Sequence, residues 1–360
     1  MTTIFHGLQR QLFPALEEEL GPLTALDQQF CEVLSLSDLG RFTVAYEWCG
    51  EGRPPCRRLW LAHAFIAKRV YPFPTTGAWI HARQTRPTRR RLCGWETADD
   101  VPSEPTFSRA FTEFAGDQLP QRIHEHRVTG HAGPKLVGHV RRDAPAIEAP
   151  ERPAPRPGAE AQPPRQRGRP KQGEERPAPP PKRLEVQLTR PLAENLAALP
   201  TRCDVGGKRN SKGHQESWIG DNLHLDTVDG DLPVSAVLTS ARVPDRQAAI
   251  PLAQMTALRV TSLYDLMDSA HEAPQIHAFR HRLGPVPIMD HHPRGGEKRP
   301  FAPAQAQRFK QRSASERVNS RLKERYGGRW VRGRGAARVR GHLMFGLVAL
   351  TATALVARLC

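Results

Sequence analysis

Cysteine is scarce in these 360 residues and carries no pattern. The six, Cys31, Cys49, Cys56, Cys93, Cys203 and Cys360, form no CxxC pair. Their scatter argues against a zinc site and against a disulfide framework, and it fits a reduced cytoplasmic protein. The opening MTTIFHGLQRQLF lacks the apolar run of a signal peptide. The most apolar stretch, Leu343–Ala357, is short and Thr-rich for a bilayer span, and it reads as a buried helix closing a core. Acids are in deficit as well: 53 Lys and Arg face 37 Asp and Glu, giving a net charge of +16. Such a balance predicts a polyanionic partner, with nucleic acid ahead of an anionic membrane.

The positive charge is concentrated. From Gln305 to Arg340 there are twelve Lys or Arg and only two acids. Within this run Phe309, Arg312, Glu316 and Lys323 stand at offsets 0, 3, 7 and 14. At about 100° per residue they share a helical stripe of roughly 60°. One carboxylate framed by cations could hold a metal ion beside phosphates. The plainer reading is a solvated basic helix with an Arg312–Glu316 i,i+4 pair.

The length suits two domains, each with its own core. Residues 1–135 read as mostly helical. Leu59–Val70 has helical apolar spacing, and Ser103 is placed to cap a helix carrying Phe107, Phe111 and Phe114. Between them the run RQTRPTRRRLCGW reads as a basic loop. Residues 136–149 contain a short strand, Leu136–Val140. From Pro150 to Pro181 fall eleven of the 34 prolines. Such composition cannot bury a core, so 150–183 is expected to be a disordered insertion. Its Arg167-Gly168-Arg169-Pro170 could lie in a narrow minor groove. Residues 184–360 read as mixed α/β. They hold a hairpin, Asn222–Val228 and Val234–Thr239, turning at Asp229-Gly230. Two short strands follow, Leu263–Met267 and Val286–Met289.

Three acids stand out by position. Asp143 and Asp268 follow strands, and Glu316 sits on the basic helix. Strand ends facing a helix can gather three carboxylates, and hard oxygen ligands suit Mg²⁺ or Mn²⁺. Asp204 and Asp226 are rivals for the first position, Asp265 and Asp290 for the second. Asp290-His291-His292 lacks a third ligand at sensible spacing and reads as a loop.

ERVNSRLKERYGGR, LHLDTVDGDLPVSAVLTSA, YDLMDSAHEA, GHVRRDAPAIEA, PSEPTFSRAFTEFA and RRLCGW together resemble a DDE-type insertion-sequence transposase. The resemblance covers nearly the whole chain outside the proline-rich segment. It implies an N-terminal helical DNA-binding region, then a ribonuclease-H-like catalytic domain that cuts and joins DNA with two divalent ions. Asp143, Asp268 and Glu316 would be its catalytic, metal-binding triad, with Asp268 ending the fourth core strand. Phe309, Arg312, Glu316 and Lys323 resemble the Tyr–Arg–Glu–Lys signature, and Arg312, Lys323, Arg317 and Arg321 are the candidate DNA contacts. The implied partners are terminal inverted repeats and target DNA. The implied state is a homodimer on DNA, in the bacterial cytoplasm at the nucleoid and away from membranes. The sequence departs from the family pattern in four places. Phe309 replaces Tyr, Ala144-Pro145 replaces Ser-Thr, Gly220-Asp221-Asn222-Leu223-His224 replaces Gly-Tyr-Lys-Leu-His, and His271-Glu272 replaces Tyr-Asp. These departures carry the alternative function, a catalytically weakened copy that binds ends or represses transposition.

Overall fold

A computed structural model describes residues 7–52, 54–71, 73–155, 181–209, 214–291, 297 and 299–358. Most of the proline-rich insertion, including Arg167–Pro170, and His292 lie outside the described residues. The N-terminal third is helical: α1 (Phe13–Leu20), α2 (Ala25–Ser37), α3 (Leu39–Thr43), α4 (Arg58–Val70), α5 (Thr76–Thr85), α6 (Pro87–Arg91), α7 (Glu104–Gly116) and α8 (Leu119–Ala132). A seven-stranded sheet follows: β1 (Leu136–Asp143), β2 (Ala146–Glu148), β3 (Asp204–Arg209), β4 (Gln215–Val228), β5 (Leu232–Ser240), β6 (Thr261–Met267) and β7 (Val286–Met289). Helices α9 (Arg183–Gln187) and α10 (Leu192–Ala197) precede β3. Helix α11 (Asp245–Ala257) joins β5 to β6, and α12 (Pro274–Leu283) joins β6 to β7. The chain ends in α13 (Pro303–Phe309), α14 (Ser313–Arg325) and α15 (Ala336–Val356).

The sheet's centre is β1. It pairs antiparallel with β4 on one side and parallel with β6 on the other, and β6 pairs parallel with β7. β4 also carries β5 antiparallel on its far edge. The resulting order β5-β4-β1-β6-β7, with one strand reversed among parallel neighbours, is the ribonuclease-H-like arrangement, and β6 is its fourth core strand. β2 and β3 extend the long β4 beyond this core. Gly220 lies where both meet it: a Cβ there would come within 2.0 Å of the Ile147 carbonyl oxygen, so only glycine fits. The β4–β5 turn falls at Asp229-Gly230, with Gly230 at φ 76°.

α15 is the hub of the apolar core. It packs on α2, α4, α7, α8 and β5, and one hydrophobic cluster runs from the N-terminal helices through it to the sheet. Phe65 contacts Phe107, Phe111, Phe114 and Phe345, with ring centroids 5.2 to 6.0 Å apart. Each such pair adds roughly 0.5–1.5 kcal/mol beyond the area it buries. α15 spans 21 residues, longer than the sequence suggested and long enough to cross a membrane. However, 83% of its most apolar window is buried inside the protein, as an interior helix requires.

Two other expectations change. The basic run Arg83–Trp95 is no loop: it forms the end of α5, then α6 and a turn. Arg83 is wholly buried, its guanidinium 3.7 Å from the Trp79 ring centre and 5.0 Å from that of Trp95. Arg91 pairs with Glu19 and Glu96, and Arg90 donates to backbone carbonyls. Much of this charge therefore holds the helical layer together. Ser103 precedes α7 as expected, but its hydroxyl meets the Thr106 hydroxyl instead of capping the helix backbone.

Candidate active site

Asp143 is the last residue of β1, and Asp268 directly follows β6. These parallel neighbours hold Arg141 opposite Leu266. Two residues further along both strands, the acids come level at the same sheet edge. Pro145, lacking an N–H, interrupts the ladder to β4 just past Asp143. The register survives, with Asp143 opposite Leu225 and Ala146 opposite Asn222.

α14 packs on β1 and β4, and the 3₁₀ turn before it, Lys310–Arg312, touches β1 and β6. The signature positions therefore do not share one continuous α-helix. Phe309 ends α13, Arg312 closes the 3₁₀ turn, and Glu316 and Lys323 lie on α14. Phe309 packs on Phe301 with ring centres 4.7 Å apart. Arg312 Nη2 donates to Glu316 Oε1 at 3.1 Å, as the i,i+4 spacing anticipated, and the Glu316 side chain stays 61% exposed. Asn319, one turn on, donates from Nδ2 to Asp143 Oδ2 at 2.7 Å. This contact docks α14 onto the end of β1. No signature points to Asn319; its only trace in the sequence is a polar residue three positions after Glu316.

Asp268 is held by its own turn. Its Oδ1 accepts from the Ala270 N–H at 3.2 Å and lies 2.7 Å from His271 Nδ1. Burial raises this carboxyl. The His271 contact, with the positive charges of Arg312 and Lys208, outweighs burial and holds it below the usual carboxylate range. Asp245, at the start of α11, is a further acid that sequence reasoning missed. Burial pushes its carboxyl up, and the charges of Asp268 and Asp143 add to that rise against His271 and Lys208. Lys323 is half-buried. Desolvation and then Arg329 lower its amine, while Glu148 and Asp143 oppose them. Arg312, in the turn before α14, thus reaches the field of Asp268, and Lys323, on α14, that of Asp143; Glu316 lies between them in sequence.

The remaining candidates go elsewhere. Arg317 and Arg321 both pair with Asp231 in the β4–β5 turn, at 2.9 and 3.3 Å, away from the Asp143–Asp268 edge. Asp226 and Asp265 are fully buried and engaged by Arg142 and Arg280. Asp204 opens β3 and lies 3.9 Å from Arg242. Asp290 follows β7, and the neighbouring His291 lies 3.8 Å from Glu272. Among the described residues no group of three or more His, Cys, Asp or Glu stands close enough together to hold a metal ion, and the described cysteines are free.

The Transposase DDE domain family matches residues 193–352, and the Transposase domain (DUF772) family matches residues 18–113. The first span contains Asp268 and Glu316; Asp143 lies in neither. No curated protein and no solved structure gives a significant match. With transposase families covering both its helical N-terminal layer and most of its ribonuclease-H-like domain, the chain belongs to the DDE transposases of insertion sequences.

Proposed function

We propose that this transposase binds the terminal inverted repeats of its element and performs both strand cleavage and strand transfer at the Asp143–Asp268 edge. The observation that carries the reading is the level placement of these acids on neighbouring parallel strands, with α14 docked beside them through Asn319. Asp143, Asp268 and Glu316 offer only carboxylate oxygens, a donor set that fits Mg²⁺ or Mn²⁺. Such ions, when bound, would activate the attacking hydroxyl and offset charge on the phosphate. Asp143 is held by Asn319 and Asp268 by His271, so neither must be ordered when DNA arrives. Arg312 holds Glu316 ready and, with Lys323, presents positive charge to the phosphates. A water oxygen attacks phosphorus and the 3′ oxygen leaves as a hydroxyl, taking up a proton as the water gives one up; that hydroxyl then loses its proton and attacks a phosphodiester of the target, whose own 3′ oxygen leaves as a hydroxyl. Residues 1–135 serve as the end-reading module. Two ends held together call for a dimer on DNA, in the cytoplasm.

A second reading, an end-binding copy with little chemistry, is favoured by Phe309, which offers no hydroxyl where the resemblance has Tyr. A supercoiled plasmid carrying both element ends, incubated with Mg²⁺, separates the two. Joined products are expected, and Asp143→Ala, Asp268→Ala and Glu316→Ala should each abolish them while end binding persists. End binding without nicks in the unaltered protein would leave the second reading. Cleavage surviving in any of the three variants would overturn that residue's assignment.

A further inference from the structure

A cavity of about 480 Å³ opens where α4 and α7 face the end of α14 and the segment after it. Its wall is mixed in a particular way. Phe73, Phe111 and Trp330 supply aromatic side chains; Lys68, Arg69 and Lys323 supply charge. Trp330 is 65% exposed, an aromatic side chain that the fold leaves largely uncovered. Arg69 is buried, and its Nη1 lies 2.9 Å from His342 Nε2, while its Nε has no partner. Lys68 donates to Thr76 Oγ1 at 2.8 Å. Burial, and then the charges of Arg69 and Arg332 against that of Glu104, bring its amine down to about 7. Of the two acids at the wall, Glu104 and Glu324, the second is taken up by Arg329. The cavity is thus short of negative charge.

We propose that this cavity takes a single unstacked nucleotide of the DNA strand, its base against Trp330 and Phe111 and its phosphate on Lys68 and Lys323. The volume falls in the range that encloses a small ligand and cannot admit a duplex. Aromatic faces beside cations are the pairing that unstacked bases and their phosphates require. Lys323 belongs both to this wall and to the face that carries Glu316, so a strand passing the Asp143–Asp268 edge is led to the cavity. The proposal rests on the reading of that edge as a DNA site.

The test uses the full-length protein and fluorescence anisotropy with two probes: a 30-base-pair duplex of arbitrary sequence, and the same duplex with a three-nucleotide single-stranded gap. The gapped probe should bind more tightly to the unaltered protein. Trp330→Ala and Lys68→Met should each weaken the gapped probe about tenfold and change the intact duplex by less than about twofold. Trp330→Phe should restore most of the preference, which separates stacking from misfolding. If the unaltered protein binds both probes equally, or if the variants weaken both equally, the cavity is no nucleotide site although DNA binding stands. If neither probe binds, the reading of the edge as a DNA site fails too, and the proposal falls with it.

Discussion

Replacing Arg142 by Met tests whether the strand ends are held by buried charge. Arg142 immediately precedes Asp143 on β1. Its Nε and Nη2 donate to the two carboxylate oxygens of Asp226 at 2.8 and 2.7 Å, and its Nη2 lies 3.7 Å from Asp265. Arg280 pairs with Asp265 at 2.5 Å, and Thr256 donates to Asp226 at 2.6 Å. All four charged side chains are at most 1% exposed. Two guanidinium groups face two carboxylates, so the cluster is neutral. Burial alone would lower the Arg142 guanidinium, but Asp226 and then Asp265 more than offset it and hold it above its ordinary range. Met keeps much of the volume and removes one positive charge, leaving two carboxylates with one cation. Breaking a buried pair from one side costs about 3–5 kcal/mol. The escape is protonation: holding a proton at pH 7 on a carboxyl of ordinary pKa near 4 costs about 4 kcal/mol at ~1.36 kcal/mol per unit. The two routes agree. The second also fixes a pH signature. A carboxyl whose folded pKa is raised contributes stability that is present at low pH and lost as pH rises. The deficit of the variant should therefore shrink by about 2–3 kcal/mol between pH 7 and pH 5. Urea unfolding at both pH values measures it. A second variant, Arg142→Met with Asp226→Leu, removes a balanced pair and should recover most of the loss. A deficit under about 1 kcal/mol at pH 7, or one that does not change with pH, would refute the reasoning.

Asp221 is buried with both carboxylate oxygens unpartnered, and burial followed by Glu151 pushes its carboxyl up to about 7. Its stability contribution is present near pH 4 and lost as pH rises through 7, so Asp221→Asn should raise the melting temperature at pH 8 and do little at pH 4. Arg83→Lys loses a planar guanidinium stacked on Trp79 and should cost about 2 kcal/mol by urea unfolding, despite keeping the charge. Lys323→Ala should make the salt dependence of DNA binding shallower by about one unit of slope. Arg317→Ala should change that slope less, because Asp231 already neutralises Arg317 in the free protein.

What the sequence made legible follows from what its patterns encode. Alternating apolar residues mark burial, so the hairpin, β7 and the strand leading to Asp143 could be located, as could the buried helix now seen as α15. Motif spacing placed Asp143 and Asp268 after strands, and the register of β1 and β6 then brings them level. Patterns of charge were far less informative, because a cation reads alike whether it faces solvent or an acid many residues away. Arg142 looked like one more basic residue in GHVRRDAP, yet its partner Asp226 lies 84 positions on and both are buried. The same opacity hid Arg83 within a run that reads as a basic loop, and it made Asp226 and Asp265 look like rivals for a site when they are the two carboxylates of a buried cluster with Arg142 and Arg280. It also let Arg317 and Arg321 pass as DNA contacts, although Asp231 in the β4–β5 turn engages both. Asn319 illustrates the limit most sharply. Its amide bonds Asp143 across 176 residues, and nothing local distinguishes it from any polar residue on an exposed helix. The acids that would do the chemistry are thus written into local pattern, whereas the contacts that hold them in place are written only in the three-dimensional pairing of residues far apart in the chain.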